Sequence, residues 1–457
     1  MKKFLSLVLA LVMTMSLVTV SAGAKDFTDD SEITYKEAVD VISALGVVDG
    51  YSGGDFKPTE VLTRGAAAKI ICNLILGPTT ASYLSADTAP FKDVPVTNVF
   101  AGYITYCSQQ GIINGYADGT FRPTGTLSGN AFMKMLLGAL GYDSSIEGYT
   151  GPNWTVSVIK QAVGIGLDDG NDEFVGSKAV TRQEAALYAF NMLQATMVEY
   201  DQQNTIVVGD ITINTTSSRS DVENNGKSDK YINSDGKMQF AEKYFTDLRL
   251  DDSGEDDFAR PSNVWTLKSD EIGTYAKTAD ATYTAKVKEK DLWKDLDISE
   301  GDSLKFDYYV DGAESTITVD KDSKDKLGGN GVVLEAFYDT DKDGKATTAT
   351  IVVINTYFGE VDDVDKNDDK ERIVTVVGID YVTNEFAEDD KVIYTKGLDG
   401  KDEVIMSMAK AEKKTGEVRQ ENAREIIEVK AAGTPVIFQH LAELVITEET
   451  DNGEEQI

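Results

Sequence analysis

Between Lys25 and Tyr200 the chain repeats one pattern three times, and a repeat of that size dictates the architecture before any single residue does. Each copy reads as helix, Gly-rich turn, helix. In copy one, Ala38, Val41, Ile42 and Leu45 form one apolar stripe at helical spacing, and Ala67, Ile70, Ile71, Leu74 and Ile75 form another. The second helix of copy two has Phe132, Met135, Leu136, Ala139 and Leu140; that of copy three has Ala186, Phe190 and Leu193. The first two turns are Gly50-Tyr51-Ser52-Gly53-Gly54-Asp55-Phe56-Lys57-Pro58 and Gly115-Tyr116-Ala117-Asp118-Gly119-Thr120-Phe121-Arg122-Pro123. Copy three keeps a shorter Gly170-Asn171-Asp172-Glu173-Phe174 without the proline. Glycine permits positive φ there, and proline closes the turn. Two helices cannot bury both stripes alone, so the three copies are expected to share one core.

The starts of the second helices carry chemistry. Thr181 followed three residues later by Glu184 is a capping box, each side chain satisfying a backbone N–H. The box does not explain the arginine between them. A cation in the first helical turn opposes the macrodipole at a cost of ~0.3 to 1 kcal/mol, yet Arg64 and Arg182 stand there at matching places. Free N–H groups at a helix start favour an anion, and a guanidinium can clamp a carboxylate with two parallel hydrogen bonds. The alternative is that each arginine covers a neighbouring helix or pairs with an acidic residue. Copy two reads Leu127-Ser128-Gly129-Asn130, with Gly129 at the arginine position, and copy one has Gly65-Ala66 where the box acid would stand.

Phe27-Thr28-Asp29 and Phe91-Lys92-Asp93-Val94, an aromatic helix start, Gly111 to Pro123, and Thr-Arg-x-Glu at Thr181 to Glu184 follow an order that resembles the S-layer homology family. The resemblance covers about the first 200 residues. It implies an all-α pseudo-trimer that binds a pyruvylated secondary cell-wall polysaccharide in grooves between repeats and so anchors the chain at the surface. Carried onto this sequence, the glycan-facing set is Arg64, Arg182, Trp154, Tyr51, Asp55, Tyr116, Asp118 and Glu184. Trp154 reads as a sugar platform or a core aromatic. The turn tyrosines and aspartates read as turn chemistry or glycan contacts. Gly129 leaves one or two competent grooves expected rather than three.

Lys2 and Lys3, the apolar run Phe4 to Val20, and Ala22-Gly23-Ala24 read as a cleavable signal peptide over 1–24, with no membrane span after its removal. The net charge is −34 and no basic run occurs, which excludes nucleic acid as a partner. Cys72 and Cys107 sit in apolar helical stretches and read as small buried hydrophobes rather than a bridge.

Beyond Tyr200, short alternating runs rich in Val, Ile, Thr and Tyr replace the stripes, as in Ser303 to Val310, Val332 to Tyr338 and Thr347 to Tyr357. Two or three small, mainly β domains are expected, so the proposed boundaries are repeats at 25–83, 88–143 and 149–200, then β-rich regions at 201–320 and 328–457. Residues 25–200 hold 20 acidic residues and the remainder 58, so the β half is the more acidic. Glu360 to Glu371 reads as an acidic loop or hinge, and Met408 to Ile427, rich in Ala, Glu, Lys and Arg, as a helix. Asp339, Asp341 and Asp343 resemble half a calcium loop, but Thr350 occupies the place of the bidentate glutamate, which favours a plain acidic hairpin turn. His440 is the sole histidine, so catalysis has little to build on, and no cofactor is expected. The leading expectation is a wall-anchored protein with a structural, self-assembling or adhesive β half. A wall-anchored enzyme, such as a polysaccharide hydrolase with an unrecognised site in that half, is the alternative.

Overall fold

The computed structural model describes residues 25, 27–201, 205–208, 211–214, 217–296, 305–329, 331–340, 346–367 and 370–411, with short strands between 417 and 456. The leader, His440, Asp341 and Asp343 lie outside the described residues. The chain divides into a helical unit reaching Asp251 together with 264–273, and a β unit of 252–263 with 274 onward. The helical unit thus runs past Tyr200, where the stripes stop. The overall class is the expected one: helices first, then several small sheets.

Among the described residues, six helices of 9 to 13 residues carry the repeats: α1 (Lys36–Ala44), α2 (Arg64–Leu76), α3 (Ala101–Gln109), α4 (Gly129–Leu140), α5 (Trp154–Gly164) and α6 (Arg182–Gln194). The expected stripes are buried: Val41 and Ile42 in α1, Ala67 and Ile71 in α2, Phe132 and Leu136 in α4, and Ala186 and Leu193 in α6. Partners are exchanged between copies. α1 packs on α6, α3 on α2 and α5 on α4, while α2 and α6 both meet α4. Each copy's first helix therefore covers another copy's second helix, and the second helices form the centre.

The chain enters the three central helices through one closed ring. Leu62 N–H donates to Val180 O at 2.9 Å, Val180 N–H to Leu127 O at 2.9 Å, and Leu127 N–H to Leu62 O at 3.1 Å. The side chains of Leu62, Leu127 and Val180 are buried where the copies meet. The unit extends beyond the repeats through Trp265, which is fully buried, lies edge-on to Phe190 at 5.3 Å and donates its Nε1–H to Glu37 at 2.7 Å.

In the β unit, β1 (Ala281–Tyr283), β2 (Lys305–Val310), β3 (Ala313–Ser315), β4 (Val332–Thr340) and β5 (Ala346–Asn355) form a sheet of order β3-β2-β5-β4-β1, with β2 and β5 parallel. Alternation along β4 and β5 buries both faces: Leu334, Ala336, Ile351 and Val353 on one, Val333, Phe337, Val352 and Ile354 on the other. An antiparallel sheet follows, β6 (Tyr357–Lys366), β7 (Arg372–Val376), β8 (Ile379–Val382), β9 (Lys391–Asp399) and β10 (Asp402–Lys410), in the order β8-β7-β6-β9-β10 over Val361, Val374, Val376, Val392, Tyr394 and Ile405.

Two expectations are corrected. Glu360 to Glu371 is not a loop or hinge, because residues 360–366 belong to β6 and pair with β7 and β9. Met408 to Ile427 is not a helix. Met408 to Lys410 end β10, paired to β9, and Glu417–Gln420 and Ile426–Ala431 are further strands.

The ring predicts that Leu127→Ala, which hollows the point where all three copies meet, destabilises the helical unit by roughly 2 to 5 kcal/mol. Urea unfolding followed by helical ellipticity measures it, and Val382→Ala on an exposed strand position should change stability by less than about 0.5 kcal/mol. A Leu127→Ala cost below about 1 kcal/mol would remove the ring from the centre of the fold.

Candidate functional site

Each joint between copies has the same construction. The first two N–H groups of a central helix, which no helical carbonyl can reach, are bonded by the neighbouring copy. Arg64 N–H donates to Gly125 O at 2.9 Å and Gly65 N–H to Pro123 O at 2.8 Å. Arg182 and Gln183 donate to Glu60 O and Pro58 O at 2.9 and 3.0 Å, and Gly129 and Asn130 to Lys178 O and Gly176 O at 2.9 and 2.7 Å. The third N–H is taken by the cap hydroxyl of Thr63, Ser128 or Thr181. This corrects the expectation of free N–H groups at these helix starts. An anion here must be recognised by side chains.

The two arginines lie on the neighbouring turn. Arg182 donates from Nε to Phe56 O and from Nη2 to Asp49 O, both at 2.8 Å, with its guanidinium carbon 4.8 Å from the ring centres of Tyr51 and Phe56. Arg64 repeats this one joint along: Nε to Phe121 O at 2.8 Å, Nη2 to Asn114 O at 3.1 Å, and ring centres at 5.0 Å for Tyr116 and 4.3 Å for Phe121. Burial pushes both guanidinium groups below their ordinary value, and both remain charged. Among the described residues neither forms an ion pair, and neither Nη1 has a hydrogen-bond partner. Tyr51 and Tyr116 are about two-fifths exposed at 40% and 43%, so the cation and a phenol share an accessible edge.

The remaining expected residues divide. Asp118 accepts from Thr120 and from Arg122 Nη2, and these bonds hold its carboxyl at about 2. Asp55 pairs with Lys57 at 3.4 Å. Both belong to their own turns. Glu184 completes the cap box, accepting from Thr181 N–H at 2.7 Å. Trp154 is half-buried and not with an arginine; its ring faces Lys134 Nζ of α4 at 5.4 Å, and that amine donates to Tyr149 O. The joint at Gly129 has no guanidinium.

Residues that sequence reasoning left without a role hold the turns. Asp29 accepts from Phe56 and Lys57 N–H, both at 2.7 Å, and Asp93 from Phe121 and Arg122 N–H, both at 2.7 Å. Lys57 and Arg122 have positive φ, 58° and 59°, a conformation these bonds sustain against a cost of about 1 kcal/mol or more. Phe27 and Phe91 pack on Phe56 and Phe121 at 5.2 and 5.3 Å. They close on Gly50 and Gly115, where a Cβ would strike those rings. The repeated Phe-x-Asp ahead of each full turn was the available signal.

The S-layer homology domain family matches residues 26–68 and 90–129. The chain is 28% identical over 172 residues to a surface layer protein of Brevibacillus choshinensis, 37% of this chain and 15% of that protein. It is 24% identical over 216 residues to a middle cell wall protein of Brevibacillus brevis, 46% of this chain and 20% of that protein. Over 74 residues it is 40% identical to a cellulosome-anchoring protein of Acetivibrio thermocellus, 16% of each chain. The chain thus spans a fifth or less of these relatives' own length. The matched segments and relatives mark a secreted cell-surface protein. Among the described residues no helix is long and apolar enough to cross a membrane.

Asp29 and Asp93 give the helical unit an acid limb. Burial opposes their ionisation, but the N–H groups of each turn outweigh it and hold both carboxyls below 3.8. Because the folded-state pKa is depressed, the stability they contribute is complete above the unfolded value and is lost as pH falls through the folded one. Asp29→Asn with Asp93→Asn should cost roughly 1 to 3 kcal/mol per site at pH 7 and flatten the fall in urea midpoint below pH 4. An unchanged acid limb in the double variant would show that these carboxylates do not set it.

Proposed function

We propose that this chain, which carries S-layer homology segments, anchors itself non-covalently to the cell wall by binding an acidic secondary polysaccharide, pyruvylated in character, at the Arg64 and Arg182 joints. The observation that carries the reading is the twofold recurrence of one arrangement. In each, a guanidinium is locked on two backbone carbonyls and two aromatic rings, keeps Nη1 unengaged among the described residues, and lies beside a half-exposed tyrosine. Locking the side chain in advance lowers the entropy lost on binding, and a carboxylate or ketal-linked pyruvate is the natural acceptor for a guanidinium edge. Tyr51 and Tyr116, over whose rings Lys57 and Arg122 also lie at 4.2 Å, supply an exposed phenol edge to a sugar. The Gly129 joint lacks the cation, which supports two acid-binding sites rather than three; Trp154 beside Lys134 could hold only a different contact. The β half is then carried outside the wall as a structural, lattice-forming or adhesive part.

Co-sedimentation of the full chain with wall sacculi tests this. Binding should vanish when hydrofluoric acid strips the secondary polymer. Arg182→Ala and Arg64→Ala should each weaken binding by about tenfold, and the double variant more. Because each arginine also pins a turn, Arg→Lys variants matched to wild type in melting temperature separate recognition from folding. Equal pelleting with stripped walls, or full affinity in a folded double variant, would end the proposal.

A further inference from the structure

We propose that Cys72 and Cys107 form a covalent cross-link site: outside the cell the two thiols oxidise to one disulfide that ties copy one to copy two. The chain has two cysteines in all, so each is the other's sole partner within the molecule. Cys72 lies on α2 and Cys107 on α3, helices of different copies, and both are fully buried with Sγ atoms 3.5 Å apart. Their setting is reciprocal. The Cys72 thiol donates to Tyr103 O and the Cys107 thiol to Ala68 O, both at 3.6 Å, and each carbonyl lies four residues before the opposite cysteine. The helix contact thus points the sulfurs at one another. Closing to the ~2.05 Å of a disulfide needs about 1.5 Å of approach, shared between two side chains and the give of one helix contact. The gain is a cross-link between residues 35 apart, which restricts the unfolded chain, at the loss of two weak S–H···O bonds.

The cell-surface setting is where disulfides persist. The oxidant required is a small-molecule or protein disulfide. One cysteine thiolate attacks it and releases a thiol; the second cysteine attacks the mixed disulfide and releases another. Two hydrogens and two electrons pass from the chain to the oxidant. In the packed unit neither sulfur is reachable, and the contact with Cys107, with burial, pushes the Cys72 thiol far above its ordinary range. The exchange therefore belongs to folding, as α2 and α3 close, and the finished bond is shielded from reductant.

The test is alkylation of the secreted full-length chain by iodoacetamide in guanidinium, read by intact mass. No label should enter without prior reduction and two should enter after it, with one linked peptide pair containing Cys72 and Cys107. Reduced, folded protein given oxidised glutathione should stay unbridged, whereas the same protein refolded in it should bridge. The bridged form should melt roughly 5 to 15 °C above the reduced form, and Cys72→Ala with Cys107→Ala should remove the dependence on reductant. Two labels in most molecules of the unreduced secreted protein would overturn the proposal, whatever the melting temperatures.

Discussion

The helical unit depends on three backbone hydrogen bonds that close on themselves at Leu62, Leu127 and Val180. From that ring the chain runs into α2, α4 and α6, and two residues on, each helix start receives carbonyls from the copy next to it. An N–H shut away from water and left unbonded costs ~1 to 3 kcal/mol, and six helix-start N–H groups are satisfied across copies rather than within them. No copy can therefore complete its own central helix. The exchanged packing of α1 on α6, α3 on α2 and α5 on α4 has the same consequence for apolar area. Cooperativity among the repeats is built in at the helix starts.

The same closure decides how an anion could be recognised. Helix-start amides bind anions only while unsatisfied, and these are occupied by protein carbonyls. What remains is the guanidinium, two of whose donors hold the turn and whose further edge is left over. Asp29 lies within electrostatic reach of Arg182, and Asp93 of Arg64, which tempers the positive field. Both carboxylates are spent on backbone N–H groups, so they compete weakly for a guanidinium edge. Arginine thus serves the fold and the surface with different atoms.

Much of this was legible because periodicity reports burial. The stripes of α1, α2, α4 and α6 could be read from spacing alone, as could the Thr181 and Glu184 box, which forms as the sequence implies. Which helix packs on which copy could not, since a stripe says that a face is covered but not by what. Nor could the occupancy of the helix-start amides, which depends on the exchange. In the β unit the two errors have different causes. The acidic residues of 360–366 look like a charge run, yet Gly359 and Val361 turn inward while Glu360 and Asp362 do not, an alternation that the charges masked and that a bulge interrupts at Asp363. Met408 to Lys410 consist of acceptable helix formers, but pairing with Val392 to Tyr394 fixes them as strand, a case of sheet register overruling weak local preference.

The joint without an arginine is a different packing solution. A Cβ at Gly129 would press on the Phe174 ring at 3.1 Å and on Gly176 at 3.2 Å, and a Cβ at Gly176 would strike the Asn130 side chain. The shorter third turn therefore brings its aromatic and its backbone against α4, and glycine on both sides is the condition for that approach. Restoring an arginine at 129 would not restore the other two joints' geometry, because the space its stem needs is occupied. A cation does return one and a half turns along α4, where Lys134 meets Trp154. Its amine is tied to Tyr149 O and pushed below its ordinary value by burial, and an ammonium is a less directional charge than a guanidinium fork. Threefold backbone symmetry and twofold chemistry thus coexist, since the ring constrains main-chain atoms and leaves the residue after each cap free to differ.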